Sequence, residues 1–272
     1  MDSYETDGAA HNTPASTVRD KAVNVLPVND APVSGLPASG LPVNKIRAHG
    51  ENVPERDRQQ FRRMSLTLLT IGLVAILASV LIMNWDPSLS QSIRIGKIPG
   101  DVRKAIELSE AFAHGTGVAA ILAALLLATR GPRSGLWGIA LLTATSGGLA
   151  NVLKALVTRA RPYTLDEDLA KSATDITGWQ FLGTSGFWDA SHRSFPSGHT
   201  ATAWALALGL SLLYPRAMLL FFALATLATY QRLYSGAHYP SDTLAGFAVA
   251  CITGAMMLAV PRFQRAVCTA RN

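Results

Sequence analysis

Three short segments of the 272-residue chain carry residue types and spacings suited to phosphoryl chemistry. The first is Lys154-Ala155-Leu156-Val157-Thr158-Arg159-Ala160-Arg161-Pro162, with Lys154 and Arg161 seven residues apart. On a helix this spacing is nearly two turns, which predicts both cations on one face, Arg159 pointing well away, and Pro162 limiting further helix. Two cations on one face suit an anion; headgroup snorkelling is the plainer alternative. The second segment, Ser194-Phe195-Pro196-Ser197-Gly198-His199-Thr200, has the composition of an anion cradle at a helix start. Early proline costs no hydrogen bond, glycine lets a ligand approach the backbone, and first-turn N–H groups with the Ser197 hydroxyl can donate to phosphate oxygens. His199 would then sit beside the anion. In the third, Gln231 to Asp242, His238 precedes Asp242 by four. If a helix begins around Pro240, the Asp242 carboxylate reaches one ring nitrogen of His238, fixing its tautomer and raising its basicity. The other nitrogen then faces the site as a nucleophile.

The elements that must position these segments are read from hydropathy. The chain is 49% hydrophobic and only 15% charged, too apolar for an ordinary soluble domain at roughly 25% charged. Uncharged runs cover Met64–Met83, Ala111–Thr129, Gly135–Leu153, Phe195–Tyr214, Ala217–Gln231 and Thr243–Val260. About 20 apolar residues span a bilayer and about 17 can suffice, so five runs qualify; the fifth in order is short, with Arg216 and Arg232 able to snorkel at its ends. Gly135–Leu153 and Thr243–Val260 offer few polar positions at any helical phase, which argues against a soluble fold. The expectation is an all-α bundle of six transmembrane helices.

Residues 1–60 contain six prolines and one aromatic, Tyr4, and Leu26-Pro27-Val28-Asn29 recurs as Leu41-Pro42-Val43-Asn44. Such a stretch cannot bury enough apolar surface to order itself and lacks a signal-peptide core near its start, so it reads as a disordered tail. The domain reading is a tail over 1–60, a six-span domain over 61–263 and a short tail over 264–272.

The net charge is +6, and the first 60 residues hold −2 of it, leaving +8 on the membrane part. With six spans both termini share a side with Arg56/Arg58/Arg62/Arg63, Arg130/Arg133, Arg216 and Arg262/Arg265/Arg271, which points to cytoplasmic termini. An equal number of cations, Arg94, Lys97, Arg103, Lys104, Lys154, Arg159, Arg161, Lys171, Arg193 and Arg232, falls on the other side. That orientation holds only if some of these sit in a site. The six-span path brings all three segments to one membrane face. Three cations, a glycine-flanked helix start, one bare histidine and one carboxylate-supported histidine suit phosphoryl transfer through a phosphohistidine.

These residues resemble the type 2 phosphatidic acid phosphatase (PAP2) superfamily of lipid phosphate phosphatases, whose fold is shared with vanadium haloperoxidases. The likeness covers about residues 64–260. The family pattern Lys-x6-Arg-Pro, Pro-Ser-Gly-His and Ser-Arg-x5-His-x3-Asp is matched by Lys154…Arg161-Pro162, Pro196-Ser197-Gly198-His199 and Arg232…His238…Asp242. Gln231 stands where the pattern usually has Ser. The resemblance implies that Lys154, Arg161 and Arg232 hold the phosphoryl oxygens, with Ser197 and the Gly198 backbone completing the cradle. It implies that His238, oriented by Asp242, attacks phosphorus, and that His199 protonates the leaving oxygen and later activates water. No metal or other cofactor is implied, because the cations stabilise the charge.

The other candidates read more plainly. Asp166-Glu167-Asp168 suits a solvated acidic turn, His114 a packing role, and Trp179, Phe187 and Trp188 either an interfacial lid or a small loop core. His192 and Arg193 stand next to the cradle and could touch a headgroup phosphate. Cys251 and Cys268 suggest no disulfide. The expected protein is an integral enzyme, in a bacterial inner membrane, that dephosphorylates a phospholipid or polyprenyl phosphate at the non-cytoplasmic face, with the bilayer and no nucleic acid as partner. Phosphatidic acid, phosphatidylglycerol phosphate, polyprenyl diphosphate and lipid A phosphate all fit. A vanadate-dependent haloperoxidase would use the same pocket, but its known members are soluble. An anion transporter would leave His199 and the His238–Asp242 pair unexplained.

Overall fold

The computed structural model describes residues 53–96, 98–164, 180–181, 191 and 193–271. The sequence readings of the tail before residue 53, of Lys97, of Asp166–Asp168, of Lys171, of Trp179, Phe187 and Trp188, and of His192 lie outside the described residues.

Helix α1 (Glu55–Ile82) opens after Pro54 with Glu55 and Asp57 in its first turn, acids placed where the helix dipole favours them. A 3-10 turn, Met83–Trp85, leads into the short α2 (Asp86–Ile95). Next come α3 (Gly100–Leu108), a 3-10 turn at Ser109–Phe112, and α4 (Gly115–Ala128), an elbow bent by 73°. Helix α5 (Ser134–Leu156) runs into β1 (Val157–Thr158), which pairs antiparallel with β2 (Gln180–Phe181). The bundle continues with α6 (Gly198–Leu213), α7 (Met218–Tyr234) and α8 (Pro240–Ala259). Pro261 then starts α9 (Pro261–Arg271) and forces Val260 into an extended conformation. Thus residues 264–271, read from sequence as a tail, are helical, and Phe263 and Val267 anchor them in the core.

Among the described residues, four segments are long and apolar enough to cross a membrane: Glu55–Ile95, Ser134–Leu156, Pro215–Tyr234 and Pro240–Ala259. A fifth is added if the elbow is one span. By length and apolarity the described residues thus give four to five spans, short of the expected six. The run Ala111–Thr129 is broken at the elbow, and Phe195–Tyr214 becomes helical only at Gly198. At 16 residues α6 is about 24 Å long, less than the hydrocarbon thickness. It is enclosed, packed between α5, α7 and α8, with Ala201, Ala203, Ala205, Leu206 and Ala207 fully buried. Its small side chains let neighbouring backbones approach. By contrast, Leu66, Leu73, Val74, Leu77, Val80 and Leu81 of α1 are exposed, an apolar surface suited to lipid. The protein is a helical integral membrane protein.

Candidate active site

The site lies where α5 ends, α6 and α8 begin, and α7 gives way to the loop before α8. The close seating of α8 on the start of α6 depends on Gly246: a Cβ there would stand 2.3 Å from the Ser197 carbonyl oxygen. The Ser197 N–H in turn donates to the Asp242 carbonyl at 2.9 Å. Gly236, at φ +68°, turns the chain from α7 toward His238 in a conformation that side chains with a Cβ rarely adopt.

A cavity of about 300 Å³ is lined by Lys154 and Asn151 of α5, Arg161, Gly198 and His199 of α6, Arg232 of α7, His238, and the elbow residues Ala113–Gly115. Six of the eight sequence candidates therefore meet in one place: Lys154, Arg161, Gly198, His199, Arg232 and His238. Ser197 is not among the lining residues. It is fully buried, and its Oγ accepts from the Thr200 N–H and Thr200 hydroxyl as the cap of α6. Asp242 lies behind His238, also fully buried.

The structure departs from the sequence expectation in how the residues of the first segment are placed. Lys154 and Arg161 do share the cavity, but not as neighbours on one helical face, because α5 stops at Leu156 and the chain continues extended through β1. The path to Arg161 is held by the pairing of Arg159 with Arg193, by Ser194 N–H donating to the Arg159 carbonyl at 3.0 Å, and by Arg161 N–H donating to the Ser191 carbonyl at 2.9 Å. As expected, Arg159 is not among the residues that line the cavity, but it is not idle: it has no exposed surface and is the hub of a buried polar network. Its Nη1 donates to Asp242 Oδ1 at 2.5 Å and to Ser241 Oγ at 2.8 Å, and its Nη2 donates to Asp86 Oδ2 at 2.7 Å. Asp86, likewise fully buried, also accepts from the Ser241 N–H at 3.0 Å and from the Ser241 hydroxyl. The Arg159 guanidinium stacks over Tyr239, 4.1 Å from the ring centre. A buried cation between two carboxylates satisfies the rule that interior charges be paired and hydrogen-bonded.

Asp242 Oδ2 is equally occupied. It accepts from Ser194 Oγ at 2.5 Å and from the Tyr239 N–H at 2.8 Å. His238 Nδ1 lies 3.7 Å from it, an electrostatic contact longer than a hydrogen bond. Nδ1 is thus the ring edge turned to the carboxylate, and Nε2 is the free edge. Burial pushes the His238 ring down to about 4, with Lys154 and Arg161 acting in the same direction and Asp242 opposing them. The ring is therefore neutral near pH 7 and has a lone pair.

Arg232 is fixed from two sides. Its Nη2 contacts Glu110 Oε1 at 2.8 Å, and its Nε donates to Gln231 Oε1. Sequence reading missed Asp86, the role of Arg159, and Glu110. Asp86 carries a signal that could have been used, an acid at the end of a long apolar run. His114, read as a packing residue, caps α4 through Nδ1 and also lines the cavity, its ring 5.8 Å from that of His199.

The PAP2 superfamily model matches residues 135–266, which contain all three motif segments. Over these residues, just under half of the chain, the sequence is similar to the PAP2 superfamily. Proteins named lipid A 1-phosphatase from Rhizobium etli and Rhizobium johnstonii are each 40% identical to the chain over 103 residues, 38% of its length. The matched part spans only 40% and 38% of those relatives. Among solved structures, Aquifex aeolicus LpxE is 22% identical with a TM-score of 0.47, covering 63% of this chain and 93% of that one. The transmembrane PAP2-type phosphatidylglycerolphosphate phosphatase from Bacillus subtilis is 17% identical with a TM-score of 0.49, covering 71% and 93%.

Proposed function

We propose that the PAP2 domain hydrolyses a lipid-borne phosphate through a phosphohistidine. The observation that carries this reading is one cavity holding Lys154, Arg161 and Arg232 together with His199 and a buried, neutral His238. The three cations and the first-turn N–H groups of α6 bind the non-bridging oxygens and stabilise the charge that grows on them. His238 Nε2 attacks phosphorus, forming the P–N bond as the P–O bond to the lipid breaks. His199 delivers its proton to the departing oxygen. In the second half His199 accepts a proton from water, whose oxygen displaces His238 and releases inorganic phosphate. Asp242 supports the positive charge that His238 gains while bonded to phosphorus. The side chains present supply every proton transfer and every countercharge in this sequence, so no metal or other cofactor is assigned.

The 40% identity to proteins named lipid A 1-phosphatase puts a lipid A-type phosphate first among substrates, ahead of phosphatidic acid, phosphatidylglycerol phosphate and polyprenyl diphosphate. We assign α6 as the sixth crossing: enclosed by α5, α7 and α8, its ends need not reach the lipid headgroups. Cytoplasmic termini then put the cavity at the non-cytoplasmic face of the inner membrane, with the arginine clusters of α1 and α9 on the cytoplasmic side.

The test is phosphate release by detergent-purified protein, in excess EDTA, from a panel of lipid phosphates and diphosphates, beside His238→Ala. Release that survives EDTA and disappears in the variant is expected. Unchanged release by His238→Ala would refute the nucleophile; no release from any lipid would refute the phosphatase reading.

A further inference from the structure

Glu110 belongs to none of the motif segments. It sits on the 3-10 turn at the elbow, and its carbonyl accepts from the N–H groups of Ala113 and His114, two cavity-lining residues. Its side chain, 38% exposed, is at the rim. There Oε1 touches Arg232 Nη2 at 2.8 Å and stands 3.7 Å from His199 Nε2, while Oε2 is 3.5 Å from Gln231 Nε2. One carboxylate oxygen thus contacts the two groups that, on the phosphatase reading on which this inference rests, meet the phosphoryl oxygens and the leaving oxygen.

We infer that Glu110 is a specificity-determining residue that selects the leaving group. When a phosphoryl group takes Arg232, the half-exposed carboxylate gives up that contact and turns to the side that His199 serves, where the leaving group lies. A carboxylate there accepts hydrogen bonds from hydroxyl groups of an uncharged polar carrier, such as a sugar. It repels a second phosphate attached to the leaving oxygen. Discrimination by an opposed charge is a general route to specificity. The selected substrate class is a lipid monophosphate whose carrier is neutral and hydroxyl-rich, and the rejected class is a diphosphate.

The experiment compares kcat/KM for a sugar-borne lipid monophosphate and for a polyprenyl diphosphate, in the parent protein, Glu110→Gln and Glu110→Ala. The ratio of the two is expected to fall by about tenfold or more in both variants, chiefly through gain on the diphosphate. An unchanged ratio, or equal loss on both substrates, overturns the inference, since a merely structural Glu110 would affect both alike. Binding of inorganic phosphate to the same detergent-purified proteins gives a readout independent of turnover. The variants should bind phosphate as tightly as the parent or more tightly, because the carboxylate no longer competes for Arg232. Weaker binding would show that Glu110 serves only to place Arg232, and would likewise overturn the inference. A parent protein that releases phosphate from no lipid refutes the phosphatase reading and the selector with it; an active parent with an unmoved ratio refutes the selector alone.

Discussion

The Arg159 guanidinium holds Asp242 Oδ1 at 2.5 Å, and neither side chain has any exposed surface. Its other terminal nitrogen holds Asp86, so the carboxylate behind His238 is tied through one arginine to the junction of α1 and α2. The position of Asp242 is set by five partners from three places in the chain: Arg159, Ser194, Tyr239, the adjacent ring of His238 and, at its carbonyl, Ser197.

Replacing Arg159 with Met leaves two carboxylates buried without their cation. A loss of about 3–5 kcal/mol of stability is expected, with turnover falling together with the folded fraction. Arg159→Lys keeps the charge but not the fork that bridges Asp86 and Asp242, so it should fold better than Arg159→Met and still lose most activity. Thermal unfolding in detergent and phosphate release from the same preparations measure both effects. Normal unfolding of Arg159→Met would contradict the buried network.

Asp242→Asn puts an amide where Oδ1 and Oδ2 both accept. One of its faces must oppose a donor, either Arg159 or the Ser194 and Tyr239 pair. We expect kcat to fall by about 10²-fold or more while some turnover persists, as His238 loses both its orientation and its countercharge. Steady-state kinetics at saturating substrate decide this, and an unaltered kcat would remove Asp242 from the mechanism.

The buried His238 makes stability depend on pH with a defined sign. In the unfolded chain the ring takes up a proton near 6.5, whereas in the folded protein it does so near 4. Between those values the unfolded form binds more protons, so stability falls as pH drops through this window. His238→Gln removes this contribution. The melting temperature of the parent should therefore fall more steeply from pH 6.5 to 4 than that of the variant; parallel curves would show that the ring is not held neutral.

Gly246→Ala tests the contact between α8 and the cradle. The added methyl group would meet the Ser197 carbonyl, a backbone atom that cannot step aside alone. The start of α6 should shift, with at least about tenfold loss in kcat/KM for a protein that still inserts in the membrane. Unchanged kinetics would mean that the two helices have room to separate.

The residue types of the cavity were legible in the sequence because phosphoryl chemistry demands cations, paired histidines and a helix start within short segments. Lys154, Arg161, Gly198, His199, Arg232 and His238 all reach it. The apolar runs were legible too, since hydrocarbon admits little else, although at 16 residues α6 falls short of the length that a lipid-contacting span requires. What the sequence could not show was direction. Helical periodicity put Lys154 and Arg161 on one helical face, but α5 ends at Leu156, and once the chain is extended that periodicity no longer governs where a side chain points. Gln231, a departure from the family pattern, acquires meaning only beside Arg232 and Glu110, a neighbour 121 positions earlier. Asp86 and Arg159 are separated by 73 positions and Glu110 and Arg232 by 122, and no local pattern couples such pairs. Local chemistry thus marked the residues that gather at the cavity, while the partners that hold them were decided by the packing of helices distant in sequence. A buried charge takes whichever opposite charge the fold brings within reach.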